Sequence, residues 1–456
     1  MSADLKHTNP GLKKTLVLWQ VIIVGLATMQ PMTVFDTFGI VGDKSANHVP
    51  SAYIVALIAM LFTALSYGHM ARRFPSSGSA YTYTQRTISP SLGFLVGWTS
   101  LLDYLFMPMV NILLATIYLH TLFPDVPTWT FVVALSILMT AVNLKGIEIV
   151  AHFNTVIVVF QLLFIAVFVG MVVYGLTQGE GSGTLVSSEP FVSSDLAFSG
   201  VVAGATILCF SFLGFDGLSS LSEETKDAAR VIPRAIFLTT LIGGVIFIIT
   251  TYFLQLYFPH TGSVFQKPDE SQPEIFLYVA GKAFQSVGLC FSIVTVFASG
   301  MAAHTGASRL MYVMGRDGIF PKKWFGHVHP TWQTPSINVI LVGIVGFSAI
   351  FLDLEDALHL VNFGALTAFT FVNLSVIVQY YLRDGRRRGL KNNIQYLLLP
   401  GCGTLSIGLL WYFIEVESLY RGLAWMALGL IYLAVVTKGF KKFPQAFLDR
   451  APITED

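Results

Sequence analysis

Three acidic residues, Asp36, Asp103 and Asp216, lie inside long apolar runs that hold no Lys or Arg. A charge at the centre of a bilayer costs roughly 3 kcal/mol on insertion scales, so three carboxylates without a basic partner need an explanation. Three readings are open. The acids are protonated, or they accept hydrogen bonds from broken backbone and Ser/Thr groups, or they line a wet cavity that receives a cation. A dication would need more than one of them. Asp216 is the best placed: it sits at a weak point of its helix, where freed carbonyls and a carboxylate can replace the hydration shell of an ammonium group. Asp103 is followed by Tyr104, Pro108 and Asn111. Asp36 lies just past a second weak point and can serve as another amine ligand or as a group at the mouth of a path.

Phe210, Phe212 and Phe215 flank Asp216. A ring face attracts an ammonium ion by roughly 0.5–2 kcal/mol and covers the methylenes of an aliphatic chain. With 37 Phe in the sequence, most must face lipid or neighbouring helices, and only Phe210 is taken as a ligand. Ser211 and Gly214 beside Asp216, Met32 and Thr33 beside Asp36, and Tyr104 and Asn111 beside Asp103 complete the candidate binding set. His304 is the one histidine deep in a predicted helix; its imidazole can hydrogen-bond silently or carry a proton. Asp216, Asp103 and His304 are thus the candidates for proton coupling. His327 and His329 form a His-x-His pair without a nearby third ligand, so no metal site is expected. Cys209, Cys290 and Cys402 lie in apolar runs without a close-spaced pair, which speaks against a disulfide framework. No metal cluster, nucleophile–base set or phosphate loop points to an enzyme or a bound cofactor.

These residues must be positioned by membrane helices. The chain has 456 residues, 54% hydrophobic and only 12% charged, where soluble domains carry about 25% charged residues. Apolar runs of about the 20 residues that a spanning helix needs fall near 16–41, 50–71, 92–122, 127–144, 150–176, 199–222, 234–258, 276–313, 335–353, 356–381, 394–414 and 418–437. An all-α integral membrane protein of twelve transmembrane helices is predicted, with a tail at 1–15, one transmembrane domain at 16–437 and a second tail at 438–456. The first run continues past Ile40 without a small-residue cleavage pattern, so it reads as a helix and not a signal peptide.

Two of the helices should be broken. In Gly25–Asp36, Pro31 removes a backbone donor and clashes with the preceding turn, opening the helix near Thr28–Thr33. In Phe210–Gly217, Gly214 and Gly217 weaken the sixth helix. Each break carries a Phe-Asp pair, Phe35-Asp36 and Phe215-Asp216, and the helices are five apart. Breaks at matching positions of two halves are a pointer to an inverted-repeat transporter. Of the 27 Lys and Arg, all but Lys44, Lys267, Lys282 and Arg421 fall on one side of the predicted topology. Positive loops stay in the cytoplasm, which puts both termini there. A net charge of +1 points to no nucleic-acid partner. The opposite face holds Asp269, Glu270, Glu274, Asp353, Glu355 and Asp356, which would raise the local concentration of cations or serve as a solvated surface.

Three longer stretches resemble the amino acid–polyamine–organocation transporters: Phe74–Tyr83 (FPSSGSAYTY), Phe212–Ala235 with its LGFDGLSSLSEET and ARVIPRA segments, and Ser308–Pro321 (SRLMYVMGRDGIFP). Met32–Ile40 and Leu101–Phe106 are similar to the bacterial putrescine importers within that superfamily, and the similarity runs nearly end to end. The resemblance implies two inverted five-helix repeats of the LeuT-like kind plus two C-terminal helices. It also implies uptake of putrescine driven by the proton gradient, by alternating access, in the bacterial inner membrane. It makes Asp216 and Phe210 substrate ligands and puts Asp103 along the substrate-contacting stretch of helix three.

Two departures sharpen the expectation. Amino acid transporters of the superfamily usually carry Gly-x-Gly in the first break, whose amides hold a substrate carboxylate. Here Met29-Gln-Pro-Met-Thr33 stands instead, and Pro31 has no amide to give. Gln161 occupies the place of a helix-five lysine found in some relatives, so a lysine proton carrier is absent. A diamine importer is therefore expected ahead of a cationic or neutral amino acid permease, with a membrane enzyme or an ion channel as more distant readings.

Overall fold

A computed structural model describes residues 16–75, 78–145, 150–193, 196–332 and 334–439. The two tails, 1–15 and most of 438–456, lie outside the described residues. Everything described is helix, turn or loop apart from one isolated bridge, Leu16 to Thr225. The helices in order are α1 (Leu18–Met29), α2 (Thr33–Asp36), α3 (Phe38–Lys44), α4 (Val49–Arg73), α5 (Ser79–Thr87), α6 (Pro90–Leu122), α7 (Thr128–Lys145), α8 (Val150–Thr177) and α9 (Phe198–Phe212). A 3₁₀ stretch, Asp216–Glu224, precedes α10 (Ala228–Tyr257). Then come α11 (Thr261–Val264), α12 (Ser271–Arg316), α13 (Lys322–Phe325), α14 (Ser336–Gly346), α15 (Leu354–Val376), α16 (Leu390–Asn393), α17 (Leu399–Tyr412) and α18 (Val416–Val436).

Among the described residues, eleven helices are long and apolar enough to cross a bilayer. The run expected at 335–353 is the exception: α14 is apolar but short and tightens into a 3₁₀ turn, Phe347–Ile350. The expected twelve runs are thus met by eleven helices of spanning length and one short apolar helix. Two helix starts carry side-chain caps. The Ser89 hydroxyl accepts from Leu92 N at 3.2 Å ahead of Pro90, and the Asp353 carboxylate accepts from Asp356 N at 2.8 Å, satisfying amides that a helix start leaves free.

Both expected breaks are present. α1 stops at Met29, and Gln30 adopts a left-handed conformation (φ +50°) before the Pro31–Met32 turn. α9 stops at Phe212, and Gly214 takes φ +117°, a value that glycine reaches without steric cost. The breaks touch: a Cβ on Gly214 would sit 2.8 Å from Thr28 Cβ. The predicted run 276–313 is longer and bent. At Gly281 (φ +76°) α12 turns back on itself, so Gln285 Nε2 donates to Pro273 O at 2.9 Å and Phe276 covers Gly288. The part before Gly281 is a helical arm folded against the spanning part.

Candidate functional site

Asp216 opens the 3₁₀ stretch after the second break. Phe215, its neighbour, is fully buried between Tyr67 (5.7 Å between ring centroids) and Phe369 (5.4 Å). That anchoring turns Asp216 the other way, into a cavity. Gly214 N donates to Asp216 Oδ1 at 3.1 Å, and the backbone of Asp216 and Gly217 and the Tyr104 hydroxyl are further hydrogen-bond partners of the carboxylate. Donors freed by the break therefore hold this side chain as an acceptor.

Asp103 sits mid-way along α6 and lines the same cavity. No hydrogen bond to its carboxylate is present among the described residues. Its backbone is pressed against α15: a Cβ on Gly364 would come within 2.7 Å of Asp103 N and 2.9 Å of Thr99 O. Asp103 and Asp216 are close enough to interact, so two carboxyl groups face one space.

The cavity encloses about 310 Å³, at the lower end of the roughly 300–1,000 Å³ usual for small-ligand sites. Thr28, Tyr67, Ser79, Ser100 and Thr305 add polar groups, while Leu213, Leu218, Met107, Met301 and Leu310 supply apolar wall. Among the described residues the sole basic one on the lining is Arg309, exposed at one end. Leu16 and Leu221 line that same end, where Lys226 N donates to Leu16 O at 2.9 Å. The cavity thus runs from the two breaks toward the end of the bundle where the described chain begins.

Of the sequence candidates, Asp216, Asp103, Tyr104 and Gly214 come together on this cavity. The others do not line it. Phe210 is buried in the surrounding apolar core. Ser211 Oγ meets Tyr53 Oη at 3.1 Å, and Tyr53 in turn meets Thr37 Oγ1 at 3.2 Å. Met32 and Thr33 are buried in the first break, with Thr33 Oγ1 lacking a partner. Asn111 Nδ2 donates to Met107 O at 2.9 Å. His304 Nε2 meets the Val339 carbonyl at 2.8 Å, tying α12 to α14. Gln161, in the place of the lysine, is 1% exposed with Oε1 unpartnered. Tyr67, Ser79 and Met107 are cavity residues that the sequence did not single out, since a tyrosine or methionine in an apolar helix carries no mark of which way it faces.

Asp36 belongs to the opposite, closed end. Phe35 is buried against Phe168 (5.2 Å) and Phe276 (5.3 Å), and Asp36 is hydrogen-bonded by Tyr118. Above it Lys44 meets Glu355 at 3.0 Å and also pairs with Glu415, while His359 Nε2 lies 2.9 Å from Glu415 Oε2. Burial works against the Lys44 ammonium, but Glu415 and Glu355 outweigh it and hold it above the usual lysine range.

A bundle of spanning helices, two of them broken around a carboxylate-lined cavity open at one end, defines a multi-pass membrane transporter. The chain belongs to the amino acid permease family, whose model matches residues 16–437. It is 64% identical to the low-affinity putrescine importer PlaP of Escherichia coli K12 over 94% of this chain and 95% of that one. It is 25% identical to the branched-chain amino acid permease BcaP of Bacillus subtilis over 95% of each. Among solved structures it shares its fold with a sodium-coupled sialic acid symporter in a substrate-bound outward-open state (TM-score 0.55, 12% identity, 87% of this chain and 90% of that one). The LeuT-like class of fold expected from the sequence is the one found.

Proposed function

We propose that this transporter imports putrescine or a similar small aliphatic diamine across the bacterial inner membrane, as a single domain with both termini in the cytoplasm. The observation that carries the reading is the pair Asp103 and Asp216 on one cavity, with no cationic side chain between them among the described residues. Each carboxylate takes one ammonium group. Tyr104 and the Gly214 amide orient Asp216, and Met107, Met301 and Leu213 cover the methylenes. The 64% likeness to the E. coli putrescine importer supports the same substrate class. An amino acid would also need a partner for its carboxylate; the first break offers Pro31 in place of an amide, and Arg309 sits at the exposed end.

Transport proceeds by alternating access, with the cavity described here facing the cytoplasm. The inward proton gradient drives uptake, and no other cofactor is invoked. Labelled putrescine uptake into proteoliposomes tests this. Uptake should saturate, rise with an inward proton gradient and yield to unlabelled diamines but not to amino acids. Displacement by branched-chain or cationic amino acids in place of diamines would make the protein an amino acid permease.

A further inference from the structure

We propose that Asp36 is a proton-binding site, and that its neutral acid is the state that lets the end of the bundle around Lys44 close. Asp36 is 3% exposed, Oδ1 is hydrogen-bonded to Tyr118 Oη, and Oδ2 is buried without any partner. Tyr118 Oη also lies 3.2 Å from Gln272 Oε1, and Gln272 Nε2 lies 2.5 Å from Ser292 Oγ, whose own hydrogen goes to Gly288 O at 2.9 Å.

Hydrogen counting follows from these contacts. Ser292 spends its one hydrogen on Gly288, so Gln272 donates to Ser292 and presents Oε1 to Tyr118. Tyr118 has one hydrogen. Given to Gln272, it leaves the phenolic oxygen as an acceptor, and the remaining donor is the Asp36 acid. Tyr118 can instead give its hydrogen to an ionised Asp36, with or without reversal of the Gln272 amide, but that charge would then hold a single donor, one bare buried oxygen and no cation. Uncompensated buried charge neutralises itself by taking a proton.

Among the described residues the surroundings offer no alternative counter-charge. The ionisable groups facing Asp36 are Tyr118 from α6 and Tyr53 from α4. The α12 arm contributes Ser271, whose hydroxyl donates to Phe35 O at 2.7 Å, and Gln272. Between Val156 and Val173 on α8, and between Ala235 and Thr251 on α10, there is no ionisable side chain.

Asp36 does not line the cavity of Asp103 and Asp216. Its proton is therefore taken up when this end closes and returned to the same side when it opens. That sets a dependence of rate on external pH without adding a proton to the transport stoichiometry. The closure step rests on the alternating-access reading above; the protonated acid does not.

The test is infrared difference spectroscopy of the full chain in lipid at about pH 8, where solvated carboxyls are ionised. Wild type minus Asp36→Asn should show the carbonyl band of a protonated carboxylic acid, and Tyr118→Phe should shift that band by removing its acceptor. No Asp36-sensitive band, or no shift in Tyr118→Phe should Asp36→Asn fail to fold, overturns the proposal. In proteoliposomes held at a constant pH difference across the membrane, wild-type uptake should climb as external pH falls while Asp36→Asn stays flat within about twofold; a wild-type pH profile in the variant overturns the closure step. A band present in a protein that ignores putrescine would leave the proton site standing and remove the diamine reading.

Discussion

The dipeptide Phe-Asp stands at both helix breaks, and its two copies end in different worlds. In each, the phenylalanine is the anchor: Phe35 in a cage with Phe168 and Phe276, Phe215 in a cage with Tyr67 and Phe369. The carboxylates then diverge. Asp216 faces open volume and collects donors from its own broken backbone. Asp36 faces packed side chains, with Tyr118 as its hydrogen-bond partner. An acid at mid-depth is thus not a ligand by virtue of depth alone. We propose that the space beside it decides whether a guest or a proton neutralises it.

Removing the charge at the open copy should have the largest effect. Asp216→Asn strips an ammonium of its principal partner, and losing one member of a buried charge pair costs roughly 2–5 kcal/mol. Putrescine uptake should fall by at least about 30-fold at 1.4 kcal/mol per tenfold, with membrane insertion intact. Normal uptake would erase the contrast between the two copies. Asp103→Asn comes next and tests the second charge. Transport of a diamine should drop about tenfold, and that of a monoamine of equal length by less than twofold. Equal losses for both would mean that Asp103 shapes the cavity without binding an ammonium.

How much of this contrast the sequence disclosed depends on where it was written. Pro31 and Gly214 act locally, through a missing amide and an accessible φ, so both breaks were legible. The depth of the three acids was legible from the apolar runs around them. Which acids share a cavity was not, because it depends on α6, α12 and the 3₁₀ stretch meeting, a long-range event. Phe210 shows the limit: among many phenylalanines its place was set by the packing of α9, and it lies buried in the core off the cavity lining. The fold of α12 at Gly281 was hidden for a similar reason, since one glycine in an apolar run looks the same with or without a bend.

Gly364 is a long-range feature of this kind and gives a sharper test of Asp103. A methyl group there would lie 2.7 Å from Asp103 N, too close without moving α6. Overpacking a core typically costs about 1–3 kcal/mol. Gly364→Ala should lower the thermal midpoint and raise KM for diamines several-fold, while leaving the proton band of Asp36 unchanged. A shift of that band would show that the open and closed regions are mechanically one.

The smallest effect is expected at the rim of the closed end. Lys44 ends α3, which continues the second half of the broken first helix, and it pairs with Glu355 at the start of α15 and Glu415 ahead of α18. Its position suits a clasp, but its side chain is 37% exposed and its partners 30% and 39%. Pairs this wet are worth about 1 kcal/mol or less, a shift of at most about fivefold in the population of the open form. In a background freed of Cys209, Cys290 and Cys402, Thr33→Cys places a thiol in the sealed break. Adding Lys44→Met should speed its labelling from outside by about two- to fivefold. Raised salt, which screens exposed pairs, should bring the Lys44 protein toward that rate and leave the Lys44→Met protein unmoved. Identical labelling with and without Lys44 would leave the closure to Asp36, Tyr118 and the aromatic cage, and reduce the rim to a solvated surface.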